Sequence, residues 1–107
     1  MVKIYPKSAH QEILKTPLAL KCFSEGNIEI VLLKLEKGES IPMHKNPFDV
    51  LFIVKSGNGL LTVEQSLFEL NENDLAFVTL TEDRAWINNE EKPLELIVIK
   101  MLNSGTV

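Results

Sequence analysis

Residues 38–57 read Gly-Glu-Ser-Ile-Pro-Met-His-Lys-Asn-Pro-Phe-Asp-Val-Leu-Phe-Ile-Val-Lys-Ser-Gly, and residues 73–88 read Asn-Asp-Leu-Ala-Phe-Val-Thr-Leu-Thr-Glu-Asp-Arg-Ala-Trp-Ile-Asn. Each segment contains a short apolar run, typical of a buried strand, beside turn-forming residues. Polar side chains that can bind a ligand lie next to these runs: His44 and Asn46 in the first segment, Arg84 in the second. The two segments predict a strand-rich framework that carries polar residues at fixed places.

Strand patterns separated by turn signals continue on both sides of these segments. Gly26 and Asn27 form a hairpin signal, and Gly57 and Gly59 are expected to supply the positive φ angles of a second tight reversal. Strands are predicted at residues 18–23, 28–35, 50–54, 60–63, 66–70, 75–79, 85–88 and 94–101. This many short strands predicts an all-β sandwich or barrel.

Length and composition predict a single domain. The chain has 107 residues, of which 45% are hydrophobic, enough for one core but not for two. We expect a barrel core over about residues 18–102, an N-terminal arm over 1–17 with one helical turn at 8–11, and a loose tail over 103–107. The only cysteine, Cys22, excludes an internal disulfide and indicates a cytoplasmic protein. No signal peptide or bilayer-spanning run is recognised, so we expect no membrane partner.

The charge distribution argues against nucleic acid as a partner. The net charge is -4, and the acidic excess falls on the part of the chain that holds both segments. Binding to phosphates needs clustered lysine or arginine, and the sequence shows no basic stripe. We therefore expect a small-molecule ligand rather than a nucleic acid.

The spacing of the two segments resembles that of the signature blocks of the cupin superfamily. In that family a glycine is followed by two histidines, a glutamate and a second glycine, and a third histidine lies in the second block. Gly38, His44, Gly57 and Asn88 support the match, which covers residues 38–88. The chain thus resembles a small single-domain cupin. The resemblance implies an all-β fold of the double-stranded β-helix type, also called a jelly-roll barrel.

The same resemblance implies a degenerate metal site. Of the four positions that bind a metal in typical cupins, only His44 keeps its ligand, while Asn46, Val50 and Arg84 occupy the others. Arginine stays protonated at physiological pH and has no lone pair to give. We therefore expect no cofactor. The alternative is a divalent transition metal on His44, with Asn46 as a weak ligand and Asp49 re-aimed by a bulge.

Residues two positions apart on a strand have the same parity and point to the same face, and this rule groups the candidate residues. His44 shares parity with Asn46, and Arg84 shares parity with Trp86, so the members of each pair face the same side. By the resemblance, these side chains face the barrel interior. The implied ligand-binding residues are His44, Asn46, Val50, Phe52, Arg84 and Trp86. Because an arginine fork fits carboxylate or phosphate oxygens, this set predicts a small anionic or polar ligand.

Each polar candidate also has a structural interpretation. Arg84 could be an exposed turn residue, or it could pair with an acid such as Asp83. His44 could be a metal ligand, a general base, or a residue that only bonds a backbone carbonyl. For Trp86 we favour core packing, with the indole N–H satisfied, over a role as a wall of the ligand site.

Three classes of function remain open on the sequence. The first is a metal-independent module that binds or senses a small molecule. The second is a small metal-dependent enzyme of the cupin isomerase or dioxygenase type, and whether the chain is an enzyme stays undecided. A metal-free epimerase of this family needs a tyrosine acid, and the only tyrosine, Tyr5, lies outside both segments. The third class is a structural scaffold. A homodimer is expected, because a short barrel leaves strand edges and apolar residues exposed, and an N-terminal strand such as residues 18–23 could pair across a two-fold axis.

Overall fold

The computed structural model describes residues 1–105 as two antiparallel sheets that enclose one core. A 3-10 helix, Lys7–Ala9, comes before the strands. The strands are β1 (Gln11–Leu14), β2 (Leu18–Glu25), β3 (Ile28–Leu35), β4 (Ser40–His44), β5 (Asp49–Ser56), β6 (Gly59–Val63), β7 (Ser66–Leu70), β8 (Leu75–Val78), β9 (Arg84–Ile87) and β10 (Leu94–Met101). Sheet A has six strands in the order β1-β2-β3-β10-β5-β8, and sheet B has four in the order β4-β9-β6-β7. The predicted all-β jelly-roll fold is confirmed.

The core is built by strict alternation along the central strands of sheet A. Over residues 31–35 of β3, 50–54 of β5 and 94–98 of β10, every second side chain is buried, because successive side chains of a strand point to opposite faces. Leu61 and Trp86 close the core from sheet B. The buried side chains of the three central strands are Val31, Leu33, Leu35, Val50, Phe52, Val54, Leu94, Leu96 and Val98. Each large apolar side chain contributes roughly 1.5–3 kcal/mol when it leaves water.

The turns before β6 and β8 each contain a residue with a positive φ angle, and the sequence analysis predicts the first of these residues but not the second. Gly57 has a φ of +85°, as expected, and Asn73 has a φ of +73° in the turn before β8. The expectation for Gly59 is wrong, because its φ is not positive. Glycine is needed there for space: an added Cβ would lie 2.5 Å from the Leu94 side chain and 2.9 Å from the Trp86 ring.

Both ends of the described chain are more ordered than predicted. In the arm, β1 pairs with β2, a strand that the sequence patterns miss because all its side chains are exposed. The Tyr5 ring packs on Phe23 with centroids 4.8 Å apart. In the tail, Ser104 Oγ accepts a hydrogen bond from the Asp49 N–H at 2.6 Å and donates one to the Met101 carbonyl at 2.7 Å, so this residue is not loose. Positions 106 and 107 of the predicted tail lie outside the described residues.

The predicted pairing of residues 18–23 across a two-fold axis is wrong. Strand β2 lies between β1 and β3, so both of its edges are already hydrogen-bonded within the chain. The free edges of sheet A belong to β1 and β8. Within residues 1–105, no helix is long and apolar enough to cross a membrane.

Candidate functional site

A cavity of about 320 Å³ lies between the two sheets at one end of the barrel. Strands of both sheets contribute to its walls, which are mostly apolar. Its lining residues are Ile13, Leu14, Ala19, Val31, Leu33, Ile41, His44, Asn46, Phe52, Arg84, Trp86, Val98 and Lys100. Its volume lies at the small end of the roughly 300–1,000 Å³ range of ligand pockets.

The structure brings together most of the residues that the sequence analysis grouped. His44, Asn46, Phe52, Arg84 and Trp86 all line this cavity. His44 and Arg84 are direct partners in the β4–β9 ladder. Val50 is fully buried in the core but does not line the cavity, so nothing in the geometry gives it a ligand contact.

Arg84 is the buried charge of the site. Its side chain is 1% exposed, so the interpretation of Arg84 as an exposed turn residue is wrong. Nη2 donates to the Thr79 carbonyl at 2.9 Å, and Nε donates to the Glu82 carbonyl at 3.2 Å. Nη1 is buried and finds no acceptor among residues 1–105. The guanidinium is therefore held in place by two of its nitrogen atoms while the third keeps its hydrogen-bonding capacity.

The electrostatic surroundings of Arg84 compensate its charge only in part. Burial lowers its pKa from the ordinary value, and the nearby carboxylates of Glu82, Asp83 and Asp49 oppose that shift. Each of these acids has another partner. Asp83 pairs with Lys45 at 3.1 Å, and the other two accept backbone N–H groups, Glu82 that of Thr79 and Asp49 that of Leu80.

The aromatic wall of the cavity is formed by Phe52 and Trp86. Their rings meet edge to face, with centroids 5.4 Å apart and an interplanar angle of 69°. Trp86 is 2% exposed, which fits its predicted role as a core anchor. The expected satisfaction of its indole N–H is wrong, however: Nε1 is buried and has no acceptor in the described part of the chain. Trp86 is thus both a core residue and a wall of the cavity.

His44 lies at the exposed mouth. Its Nδ1 is 2.8 Å from the Pro42 carbonyl oxygen, and since a carbonyl can only accept, Nδ1 carries the proton. This is the backbone bond that the structural interpretation of His44 expected. The bond leaves Nε2 as the ring nitrogen free to contact a molecule at the mouth.

Lys100 is a cavity residue that the sequence analysis does not identify. Its ammonium is 3.1 Å from Glu29, whose other oxygen is 3.9 Å from Lys21. Lys100 follows Leu94, Leu96 and Val98 at the same parity on β10, so alternation alone places it on the inner face. This signal was available in the sequence.

The donor set of the cavity does not fit a divalent metal ion. A transition ion generally needs three or four N, O or S ligands. Residues 1–105 hold no group of three or more His, Cys, Asp or Glu side chains that could bind one. Asp49 does not line the cavity, and its Oδ1 accepts the Leu80 N–H at 2.8 Å. Arg84 would repel a cation placed beside His44.

A second, more open groove of about 390 Å³ lies between β7 and β8. Its walls include Phe68 and Phe77, about half exposed, and its acids include Glu69 and Asp74. It contains none of the predicted ligand-binding residues and no buried unpartnered donor of the described chain. The barrel cavity is therefore the candidate site.

Comparisons with known proteins agree with this architecture. A family profile described as the cupin domain matches residues 31–100, which include most of the cavity lining. No curated protein matches the sequence.

Several solved structures share the fold. A predicted oxalate decarboxylase from Thermotoga maritima aligns with a TM-score of 0.81 at 16% identity, over 94% of this chain and 99% of that one. An RmlC-like cupin family protein from Methanocaldococcus jannaschii aligns with a TM-score of 0.79 at 23% identity, over 95% and 92% of the two chains. KdgF from Halomonas sp. aligns with a TM-score of 0.80 at 12% identity, over 94% of each chain. At these identities the likeness shows the fold alone.

Proposed function

The chain belongs to the cupin family, and we propose that it is a metal-independent module that binds or senses a small anionic or polar molecule in the barrel cavity. The observation that carries this proposal is the buried guanidinium of Arg84, whose Nη1 has no acceptor among the described residues. A buried cation with a free donor favours a ligand that brings acceptor oxygens. In this proposal Asn46 and His44 contact the ligand at the mouth, and Phe52 and Trp86 form apolar walls.

The proposal assigns positive charge in the cavity to the protein rather than to a metal. Arginine remains protonated even where burial lowers its pKa, so it supplies this charge at any physiological pH. The same charge disfavours the alternative of a metal-dependent enzyme that uses His44, Asn46 and Asp49. We also propose that the module acts in the cytoplasm, which its single cysteine, Cys22, supports. Its partners include neither a membrane nor nucleic acid, and the net charge of -4 argues against binding to nucleic acid.

The test uses Trp86, the only tryptophan, as a fluorescent reporter of the cavity. Protein treated with EDTA is titrated with acetate, benzoate and inorganic phosphate. We expect a saturable response to at least one anion. In Arg84→Met the affinity should fall about tenfold or more, since a hydrogen bond to a charged group is lost. In Lys92→Met, which removes an exposed lysine outside the cavity, it should not change.

A second variant and a metal analysis complete this test. Asn46→Leu removes a polar contact at the mouth without touching the buried arginine, so it reports on the site even where Arg84→Met does not fold. Metal content is measured by mass spectrometry in the wild type and in His44→Ala. Near-stoichiometric metal that disappears in His44→Ala would overturn the metal-independent proposal. Anion binding that survives Arg84→Met at full strength would overturn the role of Arg84.

The outer face of sheet A favours a second candidate role, that of a dimerising scaffold. Two apolar rows cross five adjacent strands of this face. One row is Leu20, Leu32, Ile97, Ile53 and Leu75, and the other is Phe23, Ile30, Ile99, Leu51 and Phe77. Strands about 4.8 Å apart give these rows a width of roughly 20 Å. Part of the surface is open to water: Leu75 is 59% and Phe77 57% exposed.

We propose that a second copy of this chain covers these rows. A stable dimer buries about 800 Å² on each partner, and a flat apolar sheet face can supply such an area, whereas isolated exposed side chains cannot. A second copy brings the same two rows, so the face is complementary to itself. This arrangement replaces the edge pairing of residues 18–23 that the sequence analysis expects.

Light scattering after size exclusion tests the dimer. We expect a dimer at micromolar concentration for the wild type and a monomer for Ile97→Glu, which places a charge in the middle of one row. The matched control is Leu67→Glu on sheet B, where an equally apolar side chain is 64% exposed. This control should remain dimeric. A monomeric wild type, or a dimer that tolerates Ile97→Glu, would refute this interface.

A further inference from the structure

We infer that the cavity takes an amphipathic monocarboxylate, a molecule with a single carboxylate head and a short apolar body. This inference rests on the proposed function and goes beyond it. It names the chemical class of the ligand and adds Trp86 as a hydrogen-bond donor to the head.

The two unpartnered buried polar atoms are both hydrogen-bond donors. Among the described residues, Arg84 Nη1 and Trp86 Nε1 are the only buried side-chain nitrogen or oxygen atoms without a hydrogen-bond partner. The two residues occupy neighbouring inward positions of β9, and both line the cavity. Neither atom can accept a hydrogen bond. Each buried donor without an acceptor costs the protein about 1–3 kcal/mol. Binding of a molecule that accepts from both donors would therefore be favoured.

A carboxylate is the head group that suits two such donors. An ionised carboxylate is acceptor-only and has two oxygens, so it can meet two donors at once and needs no acceptor in return. A hydroxyl or amide head also has an acceptor oxygen, but it is neutral, and its own N–H or O–H groups need acceptors in return. The cavity therefore discriminates against neutral polyols and sugars.

The charged groups of the cavity favour a ligand with a single negative charge. The second cation of the cavity, Lys100, is already paired with Glu29 at 3.1 Å. The guanidinium is the remaining buried charge, and Glu82, Asp83 and Asp49 compensate part of it. A phosphate dianion would bring more negative charge than this site balances, so a monoanion is favoured.

The rest of the cavity wall is mostly apolar. Beyond the two donors, the sides of the cavity are formed mainly by Ala19, Val31, Leu33, Ile41, Phe52 and Val98. An apolar body gains roughly fourfold in affinity for each methylene that it buries. The volume of about 320 Å³ limits this body to a short aliphatic chain or a single ring.

Calorimetric titration of the wild type with four probes tests the inference. The probes are hexanoate, hexanamide, acetate and inorganic phosphate. We expect hexanoate to bind about tenfold or more tightly than hexanamide, which has the same body but a neutral head with donors. We also expect it to bind more tightly than acetate, by a factor that grows with the buried methylenes. These comparisons need no variant, so they do not depend on a substituted protein folding.

A variant assigns the second donor. Trp86→Phe keeps an aromatic wall and removes the indole N–H, so hexanoate should lose about fivefold in affinity, while hexanamide should change less. Folding of the variant is checked by circular dichroism. An equal loss for both probes would show that Trp86 acts only as a wall, and would overturn its role as a donor.

The outcomes separate this inference from the proposed function. If acetate and phosphate bind as tightly as hexanoate, the cavity is an anion site and the amphipathic class is wrong, while the proposed function stands. If hexanamide binds as tightly as hexanoate, the acceptor-only argument is wrong. If no probe binds and the benzoate titration is also flat, both proposals fail together.

Discussion

Asn88, which supports the family resemblance, is predicted to be the most costly polar residue to replace. It is fully buried directly after β9. Its side-chain Nδ2 donates to the carbonyls of Leu35 and Lys92 at 2.9 and 3.0 Å, and its Oδ1 accepts the Glu90 N–H at 2.9 Å. The amide therefore joins the end of β3 in sheet A to the loop that leaves sheet B.

The magnitude follows from these three hydrogen bonds. Asn88→Leu keeps a similar volume but leaves two carbonyls and one N–H without partners in a site closed to water. At about 1 kcal/mol or somewhat more for each bond, the free energy of unfolding should fall by about 3–5 kcal/mol. For a domain of this size that corresponds to a fall in Tm of roughly 15–25 °C. Single domains are stable by only about 5–15 kcal/mol, so the variant should be near the limit of folding.

Urea denaturation followed by Trp86 fluorescence measures this loss. The control is Asn89→Leu, because the neighbouring asparagine is exposed and should cost less than about 0.5 kcal/mol. A loss below about 1 kcal/mol for Asn88→Leu would refute the reasoning, since it would mean that the three backbone groups find other partners.

Asn88→Asp gives the same argument a pH dependence. The introduced carboxylate would face two carbonyl oxygens, so its pKa should be raised in the folded state. The folded protein would then hold a proton that the unfolded chain releases, and stability should fall as pH rises above the ordinary range of an aspartate. Stability that rises with pH over this range would contradict the assignment of Nδ2 as the donor to both carbonyls.

Three further predictions concern individual contacts. The N–H and hydroxyl of Thr79 lower the pKa of Glu82. The carboxylate therefore stabilises the folded protein above the pKa that it has in the unfolded chain, and this stabilisation disappears on acidification. Thr79→Val removes the hydroxyl and should raise the pKa of Glu82, as measured by carboxyl NMR titration. The Tyr5 hydroxyl likewise lowers the pKa of Glu25, with help from a lysine, and Tyr5→Phe should move that titration to higher pH in the same experiment. Gly57→Ala should lower the free energy of unfolding by about 2 kcal/mol or more in urea denaturation, because a Cβ would clash with the Pro93 carbonyl oxygen and φ is +85°. An unshifted carboxyl titration, or a Gly57→Ala midpoint equal to that of the wild type, would contradict the respective contact.

The fold can be predicted from this sequence because its signals are local. Alternation along β3, β5 and β10 and the turn residues between strands need no knowledge of distant contacts. Strand β1 cannot be predicted in this way, since it lies at a sheet edge and its side chains, all exposed, show no alternation of buried and exposed positions. Gly59 shows a second limit: only the packing of Leu94 and Trp86 against it reveals why glycine is needed.

The sequence predicts most of the residues that line the candidate site, but not the hydrogen bonds that their polar atoms make. Parity brings Arg84 and Trp86 to one face, and the structure places both in the cavity. Whether Arg84 is exposed depends on the turn over residues 79–82, whose carbonyls fold back to accept Nε and Nη2. Such a contact is a property of three-dimensional geometry, as is the missing acceptor of the indole.

Replacing the arginine alone would not create a metal site of the family type. Arg84→His would place a second imidazole beside His44, its partner in the ladder. Val50 would still offer no ligand atom, and Asp49 would remain bonded to a backbone N–H. The metal-independent proposal therefore depends on the residues at several positions together, rather than on Arg84 alone.

The guanidinium of Arg84 combines a structural and a binding role on different nitrogen atoms. Nε and Nη2 satisfy the carbonyls of Glu82 and Thr79, and this fixes the plane of the group. Because the guanidinium is rigid and planar, fixing two nitrogen atoms also fixes the direction of Nη1. Lysine could not divide its function in this way, since its ammonium is a point charge on a flexible stem. A donor oriented before the ligand arrives costs less ordering on binding, which favours recognition of an acceptor group at this position.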